Sequence, residues 1–175
     1  MRDDVVTPAL ATNAGLIHTI IREAFSGTDF GYQGEAELVR ELVADGDELV
    51  SIIYWRNHQA LGHLFFSRMN VEADGKRISA AGLGPVSVLP EYQGQGIGSG
   101  LIRMGIMILE EKGVDISFVL GHESYYPRFG YSPDLAARFA SPFAGPHFMA
   151  MMLDSDAAWP LGGRADYAPA FGRMG

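Results

Sequence analysis

The stretch Gln93-Gly94-Gln95-Gly96-Ile97-Gly98-Ser99 concentrates the residue types that could do chemistry, with glycine at every second position from Gly94 to Gly100. Glycine has no Cβ, so a ligand can approach the backbone closely. In a helix each one costs roughly 0.5–1 kcal/mol relative to alanine. Ahead of the run, Val86 and Val88 alternate with Ser87 as strand residues do, and Pro90, without an N–H, ends the ladder. Behind it, Ile97, Leu101, Met104, Ile108 and Leu109 form an apolar stripe at helical spacing, and Gly113 is a natural stop. The segment therefore reads as strand, glycine turn and helix. Such a turn aims unbonded N–H groups outward at the positive end of the helix dipole, which suits a phosphate or pyrophosphate. Spacing decides which kind. A P-loop needs a lysine after its last glycine, and there is none. A dinucleotide fingerprint needs Gly-x-Gly-x-x-Gly, but Ser99 and Leu101 stand where the third glycine would fall.

The elements that must position this turn follow from periodicity. Val5 and Val6 read as a short strand and Ala11 to Phe25 as a helix with Leu16, Ile17, Ile20, Ile21 and Ala24 on one side. Ser26 to Gly34 is a loop whose Phe30 and Tyr32 read as packing plugs, with part of a substrate wall as the other reading. Glu35 to Val43 is a second helix. Three strands in antiparallel succession are predicted over Leu49–Trp55, Ala60–Val71 and Lys76–Val88, the third interrupted by Gly82, Gly84 and Pro85, which signal a bulge or a local loss of pairing. After the central helix, Val114–Leu120 is an apolar strand and Tyr125–Tyr131 a single helical turn. Ser132–Phe139 is irregular or extended, His147–Leu153 is a last strand, and Trp159–Gly175 is a tail packed by Trp159, Tyr167 and Phe171. The order β-α-α-β-β-β-α-β-α-β is that of a mixed α/β layer fold, with the glycine turn at a strand end where such sheets bind ligands.

Composition narrows the function classes. A chain of 175 residues with 47% hydrophobic content can build one domain with a proper core. The formal net charge of −8 argues against general nucleic-acid or anionic-membrane binding, which needs a basic face, and permits a cationic acceptor. There is no cysteine and no His-x-x-x-His pair, so no spacing supports a metal site. The acidic start Met1-Arg2-Asp3-Asp4 lacks the apolar region of a signal peptide, and no apolar run is long enough to span a membrane. A cytoplasmic protein is expected.

The pattern Gln-x-x-Gly-x-Gly (Gln93, Gly96, Gly98), preceded by Val-x-Val-x-Pro, resembles the acyl-coenzyme A motif of the GNAT-type N-acetyltransferases. Tyr126-Pro127-Arg128-Phe129-Gly130-Tyr131 resembles the family's Tyr-x-x-x-Gly-Phe segment after the fifth strand. The wider Gly121–Tyr131 stretch, with the closing Phe148-Met149-Ala150 strand, resembles the YhbS-like branch of small predicted bacterial acetyltransferases. The resemblance covers roughly residues 5–171.

It implies an α/β (α+β) fold with a mixed, largely antiparallel sheet splayed at a bulged fourth strand and flanked by helices. Residues 1–155 would be the acyltransferase domain and 156–175 a C-terminal extension packed on it. It implies acetyl-CoA as cosubstrate, a small-molecule or protein amine as acceptor, direct attack in a ternary complex, and a homodimer by family habit. Val86, Ser87 and Val88 would meet the pantetheine arm through the backbone. Gln93, Gly94, Gln95, Gly96, Ile97, Gly98 and Ser99 would cradle the pyrophosphate, and Tyr126 would be the general acid. Fixed backbone donors suit the charge that develops on the carbonyl oxygen, and a phenol suits the leaving sulfur. Two features depart from the family. The strand Ile78–Gly84 has no carboxylate, and the usual Asn-x-x-Ala before the tyrosine is replaced by Gly121-His122-Glu123. His122 is then the first candidate base, as a residue type that titrates near neutrality, and Glu123 the second. A solvent-linked base, or none because the amine arrives neutral, stays open. The alternatives are a non-catalytic acyl-CoA-binding sensor on the same fold and, behind it, a dinucleotide-binding oxidoreductase.

Overall fold

The computed structural model describes residues 3–174 of the chain. In order, its elements are β1 (Asp4–Pro8), α1 (Ala14–Ser26), α2 (Glu35–Ala44), β2 (Glu48–Arg56), β3 (Gln59–Ala73), β4 (Lys76–Ile78), β5 (Ala80–Val88), α3 (Ile97–Glu111), β6 (Ile116–Leu120), α4 (Pro133–Ala136), β7 (Phe139–Ala140), β8 (Phe148–Met152), β9 (Gly163–Tyr167) and α5 (Ala170–Arg173). The main sheet path is β1-β2-β3-β5-β6-β8. Its neighbours are antiparallel except β5 and β6, which run parallel on either side of α3. A mixed, mostly antiparallel sheet flanked by helices is the expected fold class.

Alternation along the strands sorts the side chains into two layers. Leu64, Phe66 and Leu83 face α3 and pack with Ile97, Leu101, Ile102 and Leu109. Ile53 and Phe65 face the other way and pack with Ile17, Ile20 and Ile21 of α1 and Leu38, Val39 and Leu42 of α2. Gly105 lets α3 lie close to the sheet, since a Cβ there would come within 2.7 Å of the Phe66 ring. A third cluster, with Phe118 stacked on Phe148 and edge-on to Phe139, fills the space under α4.

Strand β3 has 15 residues and serves two sets of partners. Most of it lies between β2 and β5, but its last residues, Met69–Ala73, pair with β9 on one edge and at Val71–Ala73 with β4 on the other. This is where the structure departs from the sequence reading. Lys76–Val88 is not one strand. It breaks at Ser79, whose N–H donates to the Asp115 carboxylate at 2.9 Å and whose carbonyl accepts from the N–H groups of Asp115 and Ile116. Pro133–Ala136 is a helical turn capped by the Ser132 hydroxyl, not irregular chain. The C-terminal stretch is not simply a packed tail, because Gly163–Tyr167 joins the sheet and Trp159 remains 42% exposed. Phe30 is no plug, being 84% exposed. Met1, Arg2 and Gly175, at the ends of the acidic start and of that tail, lie outside the described residues.

Candidate active site

The predicted bulge is real and opens the sheet. Leu64 pairs with Val86 and Phe66 with Leu83, so Gly84 and Pro85 of β5 together oppose Phe65 alone. Gly84 has φ of +139°, a conformation that favours glycine. Pairing between β5 and β6 stops at Leu83 and Val119, and the two strands part beyond it. The register then fixes which backbone groups face the gap. The Leu89 N–H donates to the Leu61 carbonyl, and Ser87 lies opposite His63, so Ser87 and Leu89 turn their polar groups toward β3. Val86 and Val88, being alternate, turn theirs outward. The Val88 carbonyl accepts the Gln93 side-chain amide at 2.9 Å, which ties the loop to the strand.

The chain leaves β5 through a short turn at Pro90–Tyr92 and enters α3 through glycines. Gly94 and Gly96 have φ of +74° and +83°, and Gly96 is the N-cap residue. Only glycine adopts this conformation without strain. The intrahelical ladder starts with the Gly100 N–H donating to the Gly96 carbonyl at 3.0 Å. The N–H groups ahead of it, at the positive end of the dipole, are those a helix leaves for an anion.

These pieces line one cleft of about 660 Å³ with Val86, Val88, Tyr92, Gln93, Gly94, Gly96, Ile97, Gly98 and Ser99 on one side. The other side is His122, Tyr125, Tyr126 and Arg128, from the segment between β6 and α4. Gly121, just past the end of β6, is needed there because any Cβ on it would overlap the Tyr126 ring. Burial, with a smaller contribution from neighbouring Tyr125, pushes the Tyr126 hydroxyl up to about 12, so the phenol keeps its proton. Tyr125 bridges the walls, its hydroxyl 3.1 Å from the Ser99 Oγ. The sequence offered no signal for Tyr125 beyond its place in an aromatic run, since its partner lies 26 positions away.

The other sequence candidates fall outside the cleft lining. Ser87 is buried on the opposite face. Gln95 accepts a bond from Arg56 at 2.8 Å. Glu123 points toward His147, 3.9 Å from its Nδ1. His63 lies at the centre of the sheet, fully buried, with Nε2 2.9 Å from the Ser51 Oγ. Among the described residues no cluster of His, Asp or Glu is placed to hold a metal ion, and no helix is long and apolar enough to cross a membrane.

Comparison with known proteins gives the same picture from outside. Residues 9–133 match the family model described as acetyltransferase (GNAT) domain. The chain is 36% identical over 137 residues to the uncharacterized N-acetyltransferase YjhQ of Escherichia coli strain K12, covering 75% of this chain and 76% of that protein. A GNAT family acetyltransferase from Brucella melitensis, solved in complex with acetyl-CoA, superposes with a TM-score of 0.78 at 31% identity, over 97% of this chain and 98% of the other. The YhbS N-acetyltransferase of Escherichia coli, solved in complex with CoA, superposes with a TM-score of 0.85 at 26% identity, over 100% and 95%.

Proposed function

Since the chain belongs to the GNAT acetyltransferase family, we propose that it transfers acetyl from acetyl-CoA to a primary amine by direct attack in a ternary complex. One observation carries this reading. A glycine-opened helix start, an outward-facing strand edge and a protonated tyrosine share a single cleft. The relatives solved with acetyl-CoA and with CoA support the choice of donor.

Each part of the cleft then has a task. The loop Gln93–Ser99 receives the pyrophosphate on its N–H groups. Val86 and Val88 hold the pantetheine arm and the acyl group through their outward backbone groups, and Gln93 stiffens that edge through the Val88 carbonyl. Ser87 and Gln95 serve the strand and the loop from behind. The amine lone pair attacks the thioester carbon, and the electrons of the C=O bond move to oxygen, where fixed donors act best. As the C–S bond breaks, Tyr126 gives its proton to the sulfur and CoA leaves as the thiol. The proton lost by the amine goes to water or to His122, which lines the cleft, in preference to Glu123, which does not. Residues 1–155 form the transferase domain in this reading and 156–175 an extension packed on it, a role that the pairing of β9 with β3 supports.

The test is calorimetric titration with acetyl-CoA, with NAD as control, followed by thiol release in the presence of a panel of primary amines. Binding in the micromolar range, about −8 kcal/mol, and amine-dependent thiol release are expected. Absence of acetyl-CoA binding would overturn the reading. Binding without turnover on any amine would favour the acyl-CoA sensor.

A further inference from the structure

The wall opposite the glycine loop carries a second electrostatic feature. Arg128 is the one arginine that lines the cleft, and no lysine lines it. Its guanidinium stacks 4.4 Å above the centre of the Tyr125 ring, and its Nε donates to the Tyr125 carbonyl at 2.9 Å. Tyr125 in turn is edge-on to Phe129, with ring centres 5.3 Å apart. A second guanidinium, that of Arg103, lies 4.9 Å above Phe129. Arg103 stands four residues after Ser99 on α3, so both project from one side of the helix. Two cations thus flank a small aromatic platform at the start of α3.

Neither cation is neutralised. Among the described residues, no carboxylate lies within ion-pair distance of Arg103 or Arg128. The contrast with Arg56 is informative, because that guanidinium also reaches the loop, through Gln95, but is paired with Asp4 at 2.8 Å. In a chain with 21 acidic and 13 basic residues, two unpaired arginines side by side on aromatic rings are an arrangement suited to an anion from outside. Stacking fixes a guanidinium in orientation while leaving its remaining N–H donors free for a phosphoryl group.

We propose that Arg128, assisted by Arg103, binds the ribose 3′-phosphate of the acyl donor and so selects coenzyme A over donors that lack it. The proposal rests on the acyl-CoA reading above. The helix start and loop N–H groups serve the pyrophosphate, and the third phosphoryl group, which brings about two further negative charges at neutral pH, falls to the two arginines.

The experiment is a cycle of calorimetric titrations at fixed ionic strength, using the full chain with CoA and with 3′-dephospho-CoA. Wild type is expected to bind 3′-dephospho-CoA at least tenfold more weakly than CoA. Arg128→Gln should bind the two ligands almost equally, with an affinity near that of wild type for 3′-dephospho-CoA, and Arg103→Gln should close part of the gap. Equal binding of both ligands by wild type overturns the proposal without any variant. So does an equal loss for both ligands in Arg128→Gln, which would give Arg128 to the pyrophosphate. If wild type binds neither ligand, the acyl-CoA reading itself has failed, a result distinct from both.

Discussion

Burial holds the Tyr126 hydroxyl up at about 12, so near neutral pH the phenol carries its proton and the role open to it in the proposed transfer is donation. Tyr126→Phe is therefore expected to lower kcat roughly a hundredfold, within the usual range for a lost acid, while acetyl-CoA affinity measured by titration stays within about threefold. The sign of the shift also limits the pH profile. A raised pKa keeps the acid form on the enzyme, so Tyr126 contributes no alkaline fall in rate across the neutral and mildly alkaline range. Tyr167 makes the opposite case. Its hydroxyl is buried with no hydrogen-bond partner among the described residues, and an orphaned polar group costs about 1–3 kcal/mol. Tyr167→Phe should raise the melting temperature by about 2–4 °C, as a gain near 1 kcal/mol does for a chain of this size. A lowered melting temperature would mean that the hydroxyl has found a partner, such as a buried water.

The strand–turn–helix unit at the start of α3 was legible in the sequence because its requirements are local. Pro90 must end the strand, and Gly94 and Gly96 must supply positive φ. The two nearby glycines Gly96 and Gly98 look alike in the sequence and differ in the fold. Gly98 has ordinary helical φ, and a Cβ there would sit 3.7 Å from Val88 and 3.8 Å from the Tyr125 hydroxyl, which is normal contact. Gly98→Ala should thus fold with stability raised by up to about 1 kcal/mol, from better helix propensity, and should still bind acetyl-CoA. Gly96→Glu should lose acetyl-CoA binding while remaining folded, as circular dichroism beside titration would show, since it adds backbone strain and puts a negative charge into the proposed phosphate site. What stayed illegible is set by distant partners. The break at Ser79 is made by Asp115, and the place of Tyr125 by Ser99. Strand β9 is five residues of Gly-Arg-Ala-Asp-Tyr, too short to show a period, and its Gly163 is required because a Cβ there would overlap the Glu72 carbonyl oxygen.

At the scale of the whole molecule, stability is tied to pH through a buried group inside the sheet, His63 of β3, which lies opposite Ser87 of β5. Burial alone pushes His63 down to about 3 from the ordinary value of 6.5. The unfolded chain takes up this proton as the pH falls past about 6.5, whereas the folded chain refuses it until about 3. The stability tied to His63 is thus fully present above pH 6.5 and declines toward pH 3, by about 3–5 kcal/mol in all. Urea midpoints measured from pH 7 to pH 4 should fall accordingly, and His63→Gln should flatten that slope. A slope unchanged by the substitution would assign the acid sensitivity to other groups. The long strand β3 has a different kind of consequence. Its residue Ala73 is paired with Gly163, ninety positions later in the chain (163 minus 73). A ribosome making this protein releases β3 well before it has translated β9, and until then one rim of Met69–Ala73 is an open template for any neighbouring strand. Messages cut short after Met152, where β8 ends, and before Gly163, where β9 begins, would yield chains that have the whole cleft and yet clump, because what they lack is the cover for a sheet edge.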